Sequence, residues 1–172
     1  MATGNTLLVL TPLDNVPPAT LYATFDTMVG TSTPVENIPV LDFDDTAIEY
    51  ADFYCALPSN YAGGGVTLTF IWSAAATANT AVLSAAFRRV QDDAEDLDTT
   101  AHTYDYNNTG ALTPASVVGE VAYDTLTFTD GADMDSVAAT EYFILRVRRV
   151  PTDASDTLVG DLSLHAIVIK ET

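Results

Sequence analysis

The chain has 172 residues, of which 24 are acidic and six basic, giving a net charge of -18, and 48% of it is apolar. Such a charge argues against contact with nucleic-acid phosphates, and the apolar fraction argues against a mainly disordered chain. No apolar run approaches the roughly 20 residues that span a bilayer, and the length suits one domain burying about 70% of its unfolded surface. Leu7 to Leu10 is too short for a signal-peptide core and has no basic residue before it. Cys55 is the only cysteine, so no intrachain disulfide can form; in Asp52-Phe53-Tyr54-Cys55-Ala56-Leu57 it reads as a small buried apolar side chain rather than a nucleophile.

Residues 1–36 are mixed. Leu7 to Leu10 suits a short strand, Asn15-Val16-Pro17-Pro18 breaks it, and Leu21 to Phe25 alternates again before a loop from Val29 to Pro34. Pro12, Pro17, Pro18 and Pro34 each remove a ladder donor. This part is expected to be an extended N-terminal arm or edge strands, docking on a neighbour, ahead of a domain over residues 37–172. The first strands of that same domain are an equal alternative.

From Asn37 the pattern is regular. Ile38 to Phe43 and Ile48 to Leu57 read as strands around the acidic turn Asp44-Asp45-Thr46. Gly63-Gly64-Gly65 supplies a turn that ordinary residues resist, and behind it Val66, Leu68, Phe70 and Trp72 fall on one face while Thr67 and Thr69 take the other. No basic residue or helix start follows the glycines, so they do not read as a phosphate loop. The alanine-rich Ser73 to Thr80 lacks an amphipathic stripe and reads as a loop before the strand Ala81 to Val90.

Gln91 to Thr100 carries Asp92, Asp93, Glu95, Asp96 and Asp98 and is too charged to bury. Three strands close the chain: Glu120 to Thr129, Glu141 to Val150, and Asp161 to Lys170. In the last, Leu162, Leu164, Ala166 and Val168 share one face, and Ile167 and Ile169 give the other an apolar character expected to mark a partner surface. About eight strands with no convincing helix indicate an all-β, antiparallel β-sandwich of jelly-roll type. An immunoglobulin-like sandwich is the rival, without the cysteine pair of antibody domains.

Candidate chemistry is sparse. Asp130, Asp133 and Asp135 could present carboxylates to Ca²⁺, although the spacing is not that of an EF-hand loop and a solvated turn is the simpler reading. His102 lies in a polar loop and His165 on a strand face with Asp161 and Ser163, and no GxSxG, phosphate-loop or HExxH motif occurs. The expectation is a non-enzymatic protein with no catalytic, cofactor-binding or metal residues. Tyr50, Tyr54, Tyr61, Tyr104 and Tyr106 are candidates for stacking on sugars, whereas Trp72 belongs to the apolar stripe. Arg88, Arg89, Arg146, Arg148 and Arg149 lie in two predicted strands and are expected to pair in part with carboxylates.

Several stretches resemble a family of small virion proteins of tailed bacteriophages. They are Pro39 to Asp45, Leu57 to Gly65 with the strand to Trp72, Arg89 to Asp93, Phe128 to Ser136, Glu141 to Val147, and Ala154 to Asp161 running to the C-terminus. The resemblance covers roughly residues 37–172. It implies a structural subunit on the virion surface, as a capsid decoration or head-fibre protein or a tail component. It further implies self-association, with a homotrimer expected, and contact with other virion proteins such as the major capsid protein. The alternative from another class is a carbohydrate-binding module that recognises a host-surface glycan through its tyrosines, with or without Ca²⁺.

Overall fold

The computed structural model describes residues 4–172. Ten strands form two antiparallel sheets. They are β1 (Thr6–Leu10), β2 (Thr24–Val29), β3 (Asn37–Phe43), β4 (Tyr50–Ala56), β5 (Val66–Ala74), β6 (Leu83–Arg89), β7 (Asn107–Asn108), β8 (Ala122–Phe128), β9 (Tyr142–Arg149) and β10 (Leu162–Glu171). One sheet runs β2-β3-β10-β5-β8, with β1 also paired to β10, and the other runs β4-β9-β6-β7. Counted from β3 as the first strand, these orders become 1-8-3-6 and 2-7-4-5. That is a jelly roll: apart from β6 and β7, which pair within one sheet, consecutive strands alternate between the sheets, and the last strand lies beside the first.

Period-two alternation builds the core between the sheets. Val66, Leu68, Phe70 and Trp72 on β5 are buried with Phe43, Phe53, Phe87, Phe128 and Phe143, and the Phe87 ring meets Phe128 edge-on at 4.9 Å between centres. Trp72 donates its indole N–H to Asp124 Oδ2 at 2.8 Å, which satisfies the one polar atom it carries inward. Ser73 and Ala74 continue β5, and the alanine-rich stretch after them is loop, as its composition indicates.

The last strand departs from the sequence pattern. Leu164 pairs with Trp72, but the next pair in register is Ala166 with Ile71, so His165 is the extra residue of a β-bulge. The bulge resets the alternation: Ile167 and Ile169 turn inward to Phe70 and Leu68 and are fully buried, while Ala166 and Val168 turn outward. The second apolar face expected here is therefore core, and it offers no partner surface. A single inserted residue reverses the facing of everything beyond it.

Residues 4–36 are hydrogen-bonded into the sandwich. β1 adds to β10, residues 11–23 run past β4, and β2 is an edge strand on β3. The crossing is fixed by Val16 N–H to Asp52 O at 2.9 Å, Ala23 N–H to Tyr50 O at 2.9 Å, and Asp52 N–H to Asn15 Oδ1 at 3.0 Å.

One end of the sandwich is closed by Arg149, a fully buried cation at the end of β9. Its Nε and Nη2 donate to Asp156 at 3.1 and 2.9 Å, its Nη1 to the carbonyl of Gly160 at 2.7 Å, and its Nη2 also to that of Leu158 at 2.6 Å. Asp156 in turn accepts Val82 N–H at 2.9 Å. Removing the carboxylate strands a buried charge, which costs far more than losing the pair as a whole. Asp156→Ala is expected to destabilise the fold by about 3–5 kcal/mol, and Asp156→Asn, which keeps an acceptor, by less. Chemical denaturation of the two variants measures both.

Candidate functional site

The outer face of the second sheet carries the densest set of functional side chains. Because Ala51 and Phe53 of β4 point into the core, Tyr50, Asp52 and Tyr54 point outward. On β9 the same rule sends Tyr142, Ile144, Arg146 and Arg148 outward, and register sets Tyr50 opposite Arg148, Asp52 opposite Arg146 and Tyr54 opposite Ile144. On β6, Ser84, Ala86 and Arg88 complete the face, opposite Arg148, Arg146 and Ile144.

Charge and aromatic rings interleave on this face. Arg146 grips Asp52 with two hydrogen bonds, Nε to Oδ1 and Nη2 to Oδ2, both at 2.6 Å, and Asp52 is almost wholly buried beneath it. This bidentate contact holds the guanidinium pKa above its ordinary value. The same guanidinium lies 4.1 Å from the ring centre of Tyr104 and 5.4 Å from that of Tyr50, while Arg148 lies 3.6 Å from the ring centre of Tyr106. Burial pushes the Tyr106 phenol up to about 12 and raises that of Tyr104, so both stay neutral donors across the physiological range. Glu95 from the charged connection and His102 just after it reach Arg88 at one end of the face, while the other residues of 91–100 stay exposed.

Tyr54 and Tyr142 lie on the uncovered part, 43% and 42% exposed, with ring centres 6.4 Å apart. Tyr54 was legible as a candidate; Tyr142, buried in the apolar reading of Glu141 to Val147, was not. The expected pairing of arginines with carboxylates holds for Arg88 with Glu95, Arg89 with Glu141, Arg146 with Asp52 and Arg149 with Asp156.

The other candidates are placed differently. Tyr61 is buried, donating its hydroxyl to Asp130 Oδ1 at 2.8 Å and accepting Gly65 N–H at 3.1 Å, and it borders a hollow of about 230 Å³. Asp133 accepts Asn107 Nδ2 and Thr129 N–H, both at 2.7 Å, and Asp135 accepts Arg89 N–H at 2.8 Å. The three carboxylates of this loop thus serve separate protein donors, and among the described residues no three ligand-type side chains come together around one point. Cys55 is half-buried against the core, and burial pushes its thiol up to about 11, which leaves no thiolate at neutral pH.

One cluster was signalled in the sequence only by His165 and Ser163 on one strand face; Ser73 and Asp42 join them from neighbouring strands. Across the outer face of the first sheet, Ser73 Oγ lies 2.8 Å from His165 Nε2, and Ser163 Oγ donates to Asp42 Oδ1 at 2.5 Å. It brings together a serine, a histidine and an aspartate, but Ser73 is 2% exposed, with Met28 Sδ 3.8 Å from its hydroxyl. No substrate carbonyl can reach that oxygen, so the group reads as a sealed polar network around the bulge. Burial lowers the His165 pKa below 6.5 and raises that of Asp42 above 3.8.

Comparison with known proteins bears on the fold. No protein-family model and no curated protein matches the chain. Among solved structures, the xylan-binding domain CBM22-2 of Xyn10C from Paenibacillus barcinonensis superposes with a TM-score of 0.52 at 11% identity, over 96% of this chain and 99% of its own. The CBM22-1 xylan-binding domain of the same protein reaches 0.48 at 11% identity, over 99% and 96%. A xylan-binding module of type CBM15 reaches 0.42 at 13% identity, over 96% and 97%. The first of these, at 11% identity, is a likeness of fold.

The His165 environment has a pH signature. The unfolded chain takes up a proton on His165 through about pH 6.5 while the folded chain resists it, so stability falls as pH drops below 6.5 toward the folded value. The raised Asp42 pKa acts oppositely and in a lower window: its penalty lifts as pH falls through the folded value toward 3.8. Melting curves from pH 7 to 5.5 are expected to show a decline for the wild type, of at most about 1.4 kcal/mol per pH unit from this one group. In His165→Gln that part of the slope is absent.

Proposed function

We propose that the chain is a non-enzymatic carbohydrate-binding β-sandwich that receives its ligand on the outer face of the second sheet. The observation that carries this reading is the exposed Tyr54–Tyr142 pair beside the fixed Asp52–Arg146 couple. Sugar rings present apolar C–H faces that lie against aromatic rings, and hydroxyls that need oriented partners; this face offers the tyrosine rings and, in the partly exposed Arg146 guanidinium that buried Asp52 holds, a fixed donor. The likeness of the fold to a xylan-binding domain is in keeping with it.

A glycan array followed by calorimetry tests the reading. The wild type is expected to bind oligosaccharides, and Tyr54→Ala and Tyr142→Ala each to weaken binding about tenfold, on the scale of a stacking contact, with little change in melting temperature. Chelation by EDTA is expected to leave binding unchanged, since the acidic loop's carboxylates already serve protein donors. An array without any bound glycan overturns the proposal.

A second reading, compatible with the first, rests on a different surface. The resemblance over residues 37–172 suggests a subunit of a tailed-phage particle, self-associated and docked on other virion proteins. Its structural support is the stretch from Leu13 to Ile38, which exposes Leu13, Val16, Leu21, Tyr22, Phe25 and Val29 around the edge strand β2. Edge backbone and clustered apolar side chains together make a surface suited to burial in an assembly. The stretch holds Asp14, Asp26 and Glu36 and no basic residue, which favours a basic partner surface. On this reading the protein sediments with virions and runs as a multimer in size exclusion, and Phe25→Asp weakens that docking without altering glycan binding. A stable monomer that never sediments with particles excludes the virion role and leaves the glycan reading intact.

A further inference from the structure

Resting on the glycan-binding reading, we infer that the ligand is an anionic glycan whose carboxylate or sulfate is taken by Arg148. Four of the five arginines have a carboxylate partner: Arg88, Arg89, Arg146 and Arg149. Arg148 is the exception. Among the described residues no carboxylate oxygen lies within 4.0 Å of it, and its guanidinium makes no hydrogen bond. Its Nε is sealed from solvent without an acceptor.

In a chain with 24 acidic residues an unpaired, half-buried guanidinium is conspicuous. Nor is it loose: the Tyr106 ring covers it at 3.6 Å, and the strands place Tyr50 on one side and Ser84 on the other. Ser84 donates to Asn108, and no hydrogen bond joins it to Arg148. Stacking fixes the plane of the guanidinium while leaving its edge for a planar or tetrahedral oxyanion, the geometry in which arginine forms paired hydrogen bonds. Because the side chain is already ordered, an anion gains the contact without the entropy of ordering it. The position, opposite Tyr50 and two residues along β9 from Arg146, puts this group on the same face as the Tyr54–Tyr142 platform. One sugar chain lying along the face can meet both.

The test compares galacturonate oligomers, sulfated galactose oligomers and neutral xylose oligomers of equal length by calorimetry at about 0.15 M salt. At least one acidic series is expected to bind roughly tenfold or more tightly than the neutral one, the increment of one charge-assisted contact, and the margin to shrink as salt rises. Preference for the first series identifies a carboxylate, for the second a sulfate. Arg148→Gln is expected to erase the margin while keeping the neutral affinity, and Arg148→Lys, a charge without the planar fork, to restore only part of it. Equal binding of acidic and neutral oligomers by the wild type overturns this inference alone, and does so whether or not the variants fold. Equal loss of both classes in Arg148→Gln overturns it as well. Failure of every oligomer to bind overturns the glycan reading together with it.

Discussion

The buried guanidinium of Arg149 is the constraint on which the rest of the arrangement depends. It is fully buried, and it gathers the carboxylate of Asp156 with the carbonyls of Leu158, Gly160 and Phe43. Phe43 ends β3 in the first sheet, Arg149 ends β9 in the second, and residues 156–160 lead into β10. One cation therefore ties both layers and the last crossover at a single end. Its sign suits the chain, because at a net charge of -18 a buried guanidinium sits in a favourable field where a lone carboxylate would meet repulsion. Its direction matters equally. With Arg149 inward beside Val147 and Leu145, the pleat sends Arg148 and Arg146 outward. The candidate face exists where it does because its neighbour along the strand is the plug.

The opposite end is closed by another polar network, built around the glycine turn. Tyr61 links the glycine turn to the loop after β8 through Gly65 and Asp130, and burial with that carboxylate contact pushes its phenol up to about 12. Ala62 N–H donates to Glu171 at the end of β10. Gly65 has a φ of +83° and passes so close to the next strand that a Cβ there would stand 2.5 Å from the carbonyl oxygen of Phe128. Only glycine fits both the angle and the gap. The most recognisable stretch of the sequence is thus explained by closure of the sandwich. The strength of a motif and the place of a binding site are separate matters in this chain.

Much of the fold was legible because it obeys local rules. Alternation from Val66 to Trp72 and from Glu141 to Val150 gives the strands and their buried faces, and the long strands from residue 37 onward indicate the jelly roll. What stayed hidden depends on register or on distant partners. The bulge at His165 leaves no composition signal, since a histidine flanked by small and branched residues is ordinary in a regular strand, yet it decides that Ile167 and Ile169 are core. β7 is two residues long, too short for periodicity to declare. The acidic connection reads as solvent-exposed by its charge, and most of it is; Glu95 alone turns back to an arginine that lies seven residues earlier in sequence. The face itself was half legible: Tyr50, Asp52 and Tyr54 occur at period two, but only strand pairing sets them against Arg146 and Arg148.

The charge distribution is compatible with the proposed anion-receiving face on an acidic protein. Five of the six basic residues lie on β6 and β9, which are neighbours, and Lys170 is the sixth. Repulsion from the remaining surface is long-range and is damped beyond roughly 8 Å at physiological salt. Contacts on the face are short-range, and burial beneath Tyr104 and Tyr106 spares them much of that damping. The global field therefore slows the approach of any anion, whereas the local geometry governs how long it stays. Such a surface discriminates against polyanions that offer charge alone, because they cannot also fill the aromatic platform, and admits a ligand that brings an anionic group and an apolar ring face together.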